Sequence, residues 1–530
     1  MRSGRKNQLR RPVVWLGAAA TAALLILAMP GLVGWWPLLF VALVPLLLVL
    51  VSLPPGYSFI LGTCCGLLHY TALFYWIVIV LGRYGNLPFW LSGPALFLLA
   101  LYMACYCGVF SMLLSLLAGR YWQKERSLAS FVWLAPILWT GLDYLRSFLF
   151  TGFPWMDMGY GLAGQPRLIQ AADLGGHHLV TFCLVLVNAL VVFAVDRQKR
   201  GVRWNRRQEK RWILAACSLL VFIAGYSQLR YQQFAATMDR ELHAEVAVIQ
   251  GNFLQDEKWE GGLAEETVKR YCTLTRRILG DQTTELVVWP ETAMPFYLQR
   301  NPLAARLANL VQEENVYLLT GAPWYLPNPA AKMGKAAIEY FNSALLLDPE
   351  AKIVGRYDKQ HLVPFGEYVP LRHWLGFLEP LVESIGDFTP GDSSAPLEAG
   401  TLRLGVLICF ESIFPDIARK EVMAGANLLV NLTNDAWYGR SSAPYHSLAM
   451  AVFRAVENRR SLVRAANTGI SGFIDPLGRV RPLSPLFSPW SAREQVVMYE
   501  GKTVFSRFGY RLGPVCLAIL SALLVFRPEW

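Results

Sequence analysis

Apolar residues fall in long blocks over the first half of the chain and in short ones over the second. Seven long blocks fill the first 230 residues, at roughly 13–29, 33–53, 57–81, 88–118, 130–149, 177–195 and 212–229. A helix needs about 20 residues to cross a bilayer. Most blocks meet that length; the first is slightly short, and the fourth is long enough to tilt or to run past the membrane. An eighth, Leu512–Phe526, lies near the C-terminus and takes in Phe508–Arg511 at its start. The pattern predicts a polytopic α-helical membrane domain of eight transmembrane helices. The first block has the basic start, apolar core and small residues (Ala18–Ala20) of a secretory signal. Another block follows almost at once, so it is read as an uncleaved span.

The period changes over residues 240–500. Short runs rich in β-branched and aliphatic residues alternate with helical patterns. The predicted strands are 245–251, 285–290, 316–321, 344–350, 352–358, 402–410, 426–433 and 461–467. Helices are expected near 263–280, 302–314, 412–424 and 443–459. Near-continuous apolar strands imply sheets covered by helices, an α/β layered domain. The expected organisation is a membrane domain over 1–229, an α/β domain over 230–507 and a final span over 508–530.

Composition agrees: 54% of residues are hydrophobic and the mean hydropathy is +0.34. The formal charge of +11 changes the picture only through its placement. Residues 1–11, 119–127 and 196–211 together carry about +13, which leaves the rest near −2. No basic face remains for nucleic acid. The basic clusters flank apolar blocks, as cytoplasmic loops do. Alternation then puts 150–176 and 230–507 outside, with both termini cytoplasmic. Seven of the nine cysteines lie in apolar blocks, where a thiol is a small hydrophobe. Only Cys272 and Cys409 fall in the polar part, so no disulfide framework is present. Cys272, on a predicted helix, is expected to be free and distant from Cys409.

Three predicted strand ends present reactive groups. In WPET (289–292), Pro290 stops a strand and leaves Glu291 at its rim. In RYDKQHLVPFGEYVP (356–370), Lys359 follows a strand, and Glu367 further on is either its ion-pair partner or a second acidic group of the same site. In GVLICFESIFP (405–415), Cys409 closes a strand just before a helix that Pro415 can start. Each alone is more often a rim carboxylate, a solvated lysine or a packed thiol. Together they supply a base, a cation and a nucleophile. The helix N-terminus is expected to lower the Cys409 pKa, and the Phe410 N–H to serve an oxyanion hole. No phosphate-cradling loop or metal-spaced His/Cys cluster is seen, so no cofactor and no metal are expected. His177 and His178 are expected at a solvated or interfacial span start, and His446 to be packed or capping. Asp143 and Arg146 are the charges nearest to an intramembrane pair.

The order Glu291, Lys359, Cys409 at strand ends is similar to that of the nitrilase, or carbon–nitrogen hydrolase, superfamily. With the spans, the whole chain resembles its membrane-embedded branch, the apolipoprotein N-acyltransferases. IQGNFLQDEKW (249–259), NLTNDAWYG (431–439) and GFPWMDMGY (152–160) extend the likeness. The resemblance implies an α-β-β-α sandwich, with Glu291 as general base, Lys359 as oxyanion stabiliser and Cys409 as nucleophile. It implies supporting roles for Glu367, Glu411 and Phe410, and substrate contacts for Trp259, Trp437, Tyr438, Trp155 and Asn434. It also implies a monomeric inner-membrane enzyme with a periplasmic catalytic domain. Its acyl donor is a phospholipid, cleaved at sn-1 and typically phosphatidylethanolamine, and its acceptor is a diacylated apolipoprotein. Two residues depart from the common pattern: Phe410 stands where many members have Tyr, and Leu254 where Pro is common. Residues 373–386 carry Trp374 and Phe377 in a partly amphipathic pattern, and either rest on the bilayer surface or pack on the sheet domain. A membrane-anchored amidase sharing the same three residues is the alternative; a non-enzymatic scaffold or transporter fits the intact set poorly.

Overall fold

The computed structural model describes residues 12–85, 87–122, 129–200, 207–254, 263–280, 283–328, 338–369, 388–393 and 395–525. Two compact units emerge. The first is Met1–Val78 with Pro88–Gln233 and Phe508–Trp530; the second is Ile79–Leu87 with Phe234–Arg507.

The first unit is helical. Its elements are α1 (Pro12–Ala28), α2 (Val44–Leu50), α3 (Pro55–Leu73), α4 (Phe89–Trp122), α5 (Ala129–Arg146), α6 (Ala172–Arg200), most of α7 (Arg207–Thr237), and a last helix over Leu512–Val525. Among the described residues, α4, α6 and α7 are long and apolar enough to cross a membrane. A fourth span is counted if α3 and the turn Trp76–Arg83, bent by 49°, form one. Pro12–Ala28, Trp36–Leu50 and Leu512–Val525 are apolar but shorter. The second apolar block is thus a 3₁₀ turn (Trp36–Phe40) followed by a seven-residue helix, with Pro45 in the first turn of α2. Close approach of α3 and α4 depends on small residues. A Cβ on Gly62 would lie 2.5 Å from the Cys107 carbonyl, and one on Gly66 would lie 2.9 Å from the Ala104 Cα.

The second unit holds two six-stranded sheets. One runs β12-β1-β2-β3-β4-β5 and the other β11-β10-β9-β8-β7-β6. The first sheet comprises β1 (Leu242–Gln250), β2 (Leu286–Val288), β3 (Tyr317–Pro327), β4 (Ile338–Leu347), β5 (Ile353–Asp358) and β12 (Trp490–Met498). The second comprises β6 (Leu397–Ala399), β7 (Leu402–Ile408), β8 (Leu428–Thr433), β9 (Ser461–Ala466), β10 (Gly472–Ile474) and β11 (Val480–Leu483). Their facing side chains form one core, with Val246, Val248, Leu346, Val406, Ile408 and Val430 all at or below 1% exposure. Helices α8 (Leu263–Leu279) and α9 (Ala304–Glu314) cover the outside of the first sheet through a second core. Helices α10 (Pro415–Met423) and α11 (Ala443–Asn458) cover the second. This is the four-layer α-β-β-α arrangement.

Local chemistry explains the layers. In α8, the buried residues Val268, Tyr271, Cys272, Thr275 and Leu279 recur at three- and four-residue steps, so one face is apolar. Glu265 and Glu266 in its first turn and Arg276 and Arg277 in its last oppose the helix dipole. Strands β7, β8 and β9 are buried almost throughout, which explains their continuous apolar runs. Burying one such Val or Leu stabilises the fold by about 1.5–3 kcal/mol.

Candidate active site

Three strand ends meet at the site. β2 stops at Val288, and the Trp289 N–H still pairs with the Leu319 carbonyl at 2.8 Å. The Trp289 ring is buried, stacks on Tyr271 and donates Nε1–H to Thr275 at 3.1 Å. Pro290 then turns the chain across β3. Gly321 makes room for that crossing, since a Cβ there would lie 2.5 Å from the Thr292 nitrogen and 2.6 Å from the Pro290 carbonyl oxygen. Glu291 is left at 6% exposure.

β5 delivers Lys359, which is 1% exposed. Its Nζ lies 2.9 Å from Glu367 Oε1 and 3.8 Å from Glu291 Oε1. Burial alone would lower its pKa, but the two carboxylates outweigh that and raise it, so the ammonium is locked on. Asn342, on β4, was not singled out by the sequence. Its Nδ2 donates to Glu291 Oε1 at 2.8 Å and to Glu367 Oε1 at 3.0 Å. Its carbonyl accepts the Lys359 N–H at 2.9 Å. The strand expected from the sequence began at 344, so Asn342 fell just outside it, whereas β4 starts at Ile338. With Oε1 so engaged, Glu291 Oε2 is buried and has no hydrogen-bond partner.

Cys409 follows β7 with φ = 52°, a left-handed conformation that side chains rarely adopt, and opens the 3₁₀ turn Cys409–Ile413. The expected lowering of its pKa is overturned. Burial and the Glu291 charge raise the thiol far above its ordinary value, against Lys359 and Thr433. The helix that was to stabilise the thiolate starts only at Pro415. The resting group is a thiol, and ionising it requires an acceptor at hand.

Glu411 is fully buried but is used differently from a second base. Oε2 accepts the Ile408 N–H at 2.7 Å and the Tyr357 hydroxyl at 3.0 Å; Oε1 accepts the N–H groups of Gln360 at 2.6 Å and His361 at 3.1 Å. Phe410 packs against His361 and Phe414, with ring centres at 5.8 and 5.2 Å. Burial and Lys359 lower the His361 pKa to about 4, so it is neutral.

Asn434 accepts Asn467 Nδ2–H at 3.1 Å, and Asn467 pairs twice with the backbone of Phe253. Trp437 and Tyr438 are half-buried on the turn Asp435–Tyr438. Arg464 fixes that turn through Asp435 Oδ2 at 2.8 Å. The π-helical turn Val80–Tyr84 packs against it. Trp259 and residues 373–386 lie outside the described residues. Cys272 is free and sits in the core under α8, whereas Cys409 lines the core between the sheets. His446 is buried on α11.

Trp155 belongs to the first unit, buried, stacked on Phe153 at 5.8 Å and 4.9 Å from Trp76. The expectation for His177 and His178 is also overturned: both are fully buried. His177 Nε2 pairs with Asp157 Oδ2 at 2.9 Å, and Arg146 takes Asp157 Oδ1. One ligand atom from each of Asp157, His177 and His178 lies within 4.8 Å of the others. The Arg146 charge already neutralises that carboxylate, so the group fits an ion network better than a metal centre.

Comparison with known proteins gives two family matches, the apolipoprotein N-acyltransferase N-terminal domain over residues 21–190 and carbon–nitrogen hydrolase over residues 245–489. A solved structure, Saccharomyces cerevisiae Nit3 of the nitrilase superfamily, is 20% identical with a TM-score of 0.36, covering 48% of this chain and 90% of its own. Full-length likeness is stronger. The apolipoprotein N-acyltransferase of Geobacter metallireducens is 41% identical across 97% of this chain and 95% of its own. That of Gloeobacter violaceus is 34% identical across 97% and 94%. Identity of this extent over both the helical and the two-sheet parts makes the chain a member of the apolipoprotein N-acyltransferase family.

Proposed function

We propose that this acyltransferase moves an acyl chain from a phospholipid, through a thioester on Cys409, to the α-amino group of the S-diacylglyceryl cysteine that begins an apolipoprotein. The observation that carries the chemistry is the state of Glu291. One oxygen is held by Asn342, and the other is buried and unpaired. Such an oxygen is a ready proton acceptor beside a thiol that burial keeps protonated.

In the first half-reaction Glu291 takes the thiol proton and the sulfur attacks the sn-1 ester carbonyl. Lys359 and backbone donors stabilise the oxyanion. The C–O bond breaks, and the lysophospholipid oxygen leaves with the proton from Glu291. In the second, the neutral amine attacks the thioester and Glu291 takes its proton. The C–S bond then breaks, and the sulfur is reprotonated. A thioester is reactive enough to acylate an amine without ATP. Glu367 holds Lys359 in place; Trp259, Trp437, Tyr438, Asn434 and Trp155 are assigned to substrate handling.

The basic loops support eight spans with both termini in the cytoplasm and residues 230–507 on the periplasmic side of the inner membrane. Intact-mass analysis after incubation with a defined phospholipid tests the reading. An acyl adduct is expected on the wild type, absent in Cys409→Ala, and discharged by a diacylated lipopeptide. Equally fast discharge by water would favour an amidase-like hydrolase instead.

A further inference from the structure

Glu421 lies on α10, the helix that follows the cysteine turn, and is fully buried. Neither of its carboxyl oxygens has a hydrogen-bond partner. It packs on β7 at Gly405, where an added Cβ would come within 2.8 Å of the Glu421 Cβ. An ionised carboxylate there would be a desolvated charge with nothing to offset it, the state that folds avoid most strongly.

The charged groups around α10 do not supply a partner. On α11, Arg454 pairs with Glu457 at 3.0 Å, and His446 is buried. On β7, Arg403 donates to the Gly425 carbonyl and pairs with Glu500. On α10 itself, Arg419 pairs with Asp416 at 3.0 Å, and Lys420 lies in the last turn. On β5, the Tyr357 hydroxyl is given to Glu411. Burial, and then the neighbouring Glu411, raise the Glu421 pKa to about 8. Glu411 is raised to about 7 by burial, held back by its backbone donors and Lys359. Two carboxyls thus share one dry region, and only Glu411 has donors to support a negative charge.

We propose that Glu421 is held as the neutral acid and sets the alkaline limit of acyl transfer through Glu411. While Glu421 stays uncharged, Glu411 can remain the anion that ties the Lys359 loop to the Cys409 turn. The inference rests on reading Glu291, Lys359 and Cys409 as the reacting set. When Glu421 loses its proton, Glu411 must take one up or α10 must move. Either change loosens the tie, so transfer slows while substrate affinity is kept.

The test uses full-length protein with Glu421→Gln and Glu421→Met, assayed for lipopeptide acylation between pH 6 and 9.5. At pH 7.5 both variants are expected within about twofold of wild type. Above pH 8 wild-type kcat falls at least fivefold more than that of either variant, at unchanged KM. Thermal melting gives a second, activity-independent reading. A carboxyl whose folded pKa is raised destabilises the fold progressively from about pH 4.5 to about pH 8. The Tm advantage of the variants over wild type should therefore grow across that window and then level off. An equal alkaline loss of kcat in all three proteins, or a Tm difference flat from pH 5 to 9, overturns the proposal. Failure of the proposed function would show instead as no adduct on Cys409, with the melting result unaffected.

Discussion

The carboxylate of Glu411 accepts the backbone N–H of Gln360 at 2.6 Å, which joins the residue two after Cys409 to the residue immediately after Lys359. Through the same side chain Ile408, His361 and Tyr357 are held as well. Four donors on one buried carboxylate tie the Cys409 turn to the chain that follows Lys359. Glu411→Gln keeps the size but replaces one acceptor by a donor, so Oε2 would face the Ile408 N–H and the Tyr357 hydroxyl with an NH₂ group. Each lost buried bond costs about 1–3 kcal/mol. The expected outcome is a fall in kcat of about 100-fold or more and a lower Tm, with the protein still folded. Unchanged kcat would mean that the tie is dispensable.

Asn342 sets which oxygen of Glu291 is available. Its amide occupies Oε1 of both Glu291 and Glu367. Asn342→Ala releases both carboxylates, so nothing fixes which oxygen of Glu291 is left free. kcat should fall about tenfold with the protein still folded. Asn342→Asp places a third carboxyl against the other two and should cost more than Asn342→Ala. Wild-type kcat in both variants would deny Asn342 a part in orienting Glu291.

The α/β layering was legible because the central strands are apolar on both faces; 402–410 and 426–433 match β7 and β8 within two residues, and the pairing of two sheets came from the family resemblance. β12 was not legible. Trp490–Met498 pairs with β1 along its whole length, yet it carries Arg493, Glu494 and Gln495 on a half-exposed edge. β3 and β4 run longer than expected because their pairing continues from Leu318–Leu347 out to Pro327–Ile338, through Trp324, Tyr325 and Tyr340, residues that signal no strand boundary. The candidate site residues could be picked out because strand ends punctuate the sequence visibly, and the structure sets Glu291, Lys359 and Cys409 just past the ends of β2, β5 and β7. Their electrostatics were not legible, since the charge that acts on Cys409 comes from Glu291, on the other sheet. The buried His177 failed for the same reason: its partner, Asp157, is 20 residues away.

A protonated resting thiol has a direct kinetic signature. Free cysteine ionises near pH 8.5, and burial with Glu291 pushes Cys409 higher. Alkylation of Cys409 by iodoacetamide, followed by peptide mass spectrometry, should be slower than that of a model thiol at pH 7. Its rate should climb through pH 9 with no plateau near neutrality. Lys359→Met removes the cation that opposes this shift and should slow alkylation further, by about tenfold. A plateau beginning near pH 7 would mean a pre-formed thiolate and would remove the need for Glu291 as the first proton acceptor.

Asp157 makes the sharpest stability prediction in the helical unit. It is fully buried, with Arg146 on one oxygen and His177 on the other. Asp143 also reaches Arg146, at 3.1 Å, but only one of its oxygens is used. Removing one member of a buried ion pair leaves the other uncompensated, at a cost of about 3–5 kcal/mol. Asp157→Asn should therefore lower the Tm of the purified protein in detergent by several degrees. Arg146→Gln in the same protein removes the stranded charge, so the double variant should lose less stability than the two single losses added together. Strict additivity would show that Asp157 and Arg146 act on the fold independently. The loop Gly152–Tyr160 carries both Trp155 and Asp157, so the same substitution should free the indole that Phe153 and Trp76 now hold. A blue-to-red shift of tryptophan emission in Asp157→Asn, absent when Trp155 is replaced by Phe, would report that release at temperatures where the helices remain folded.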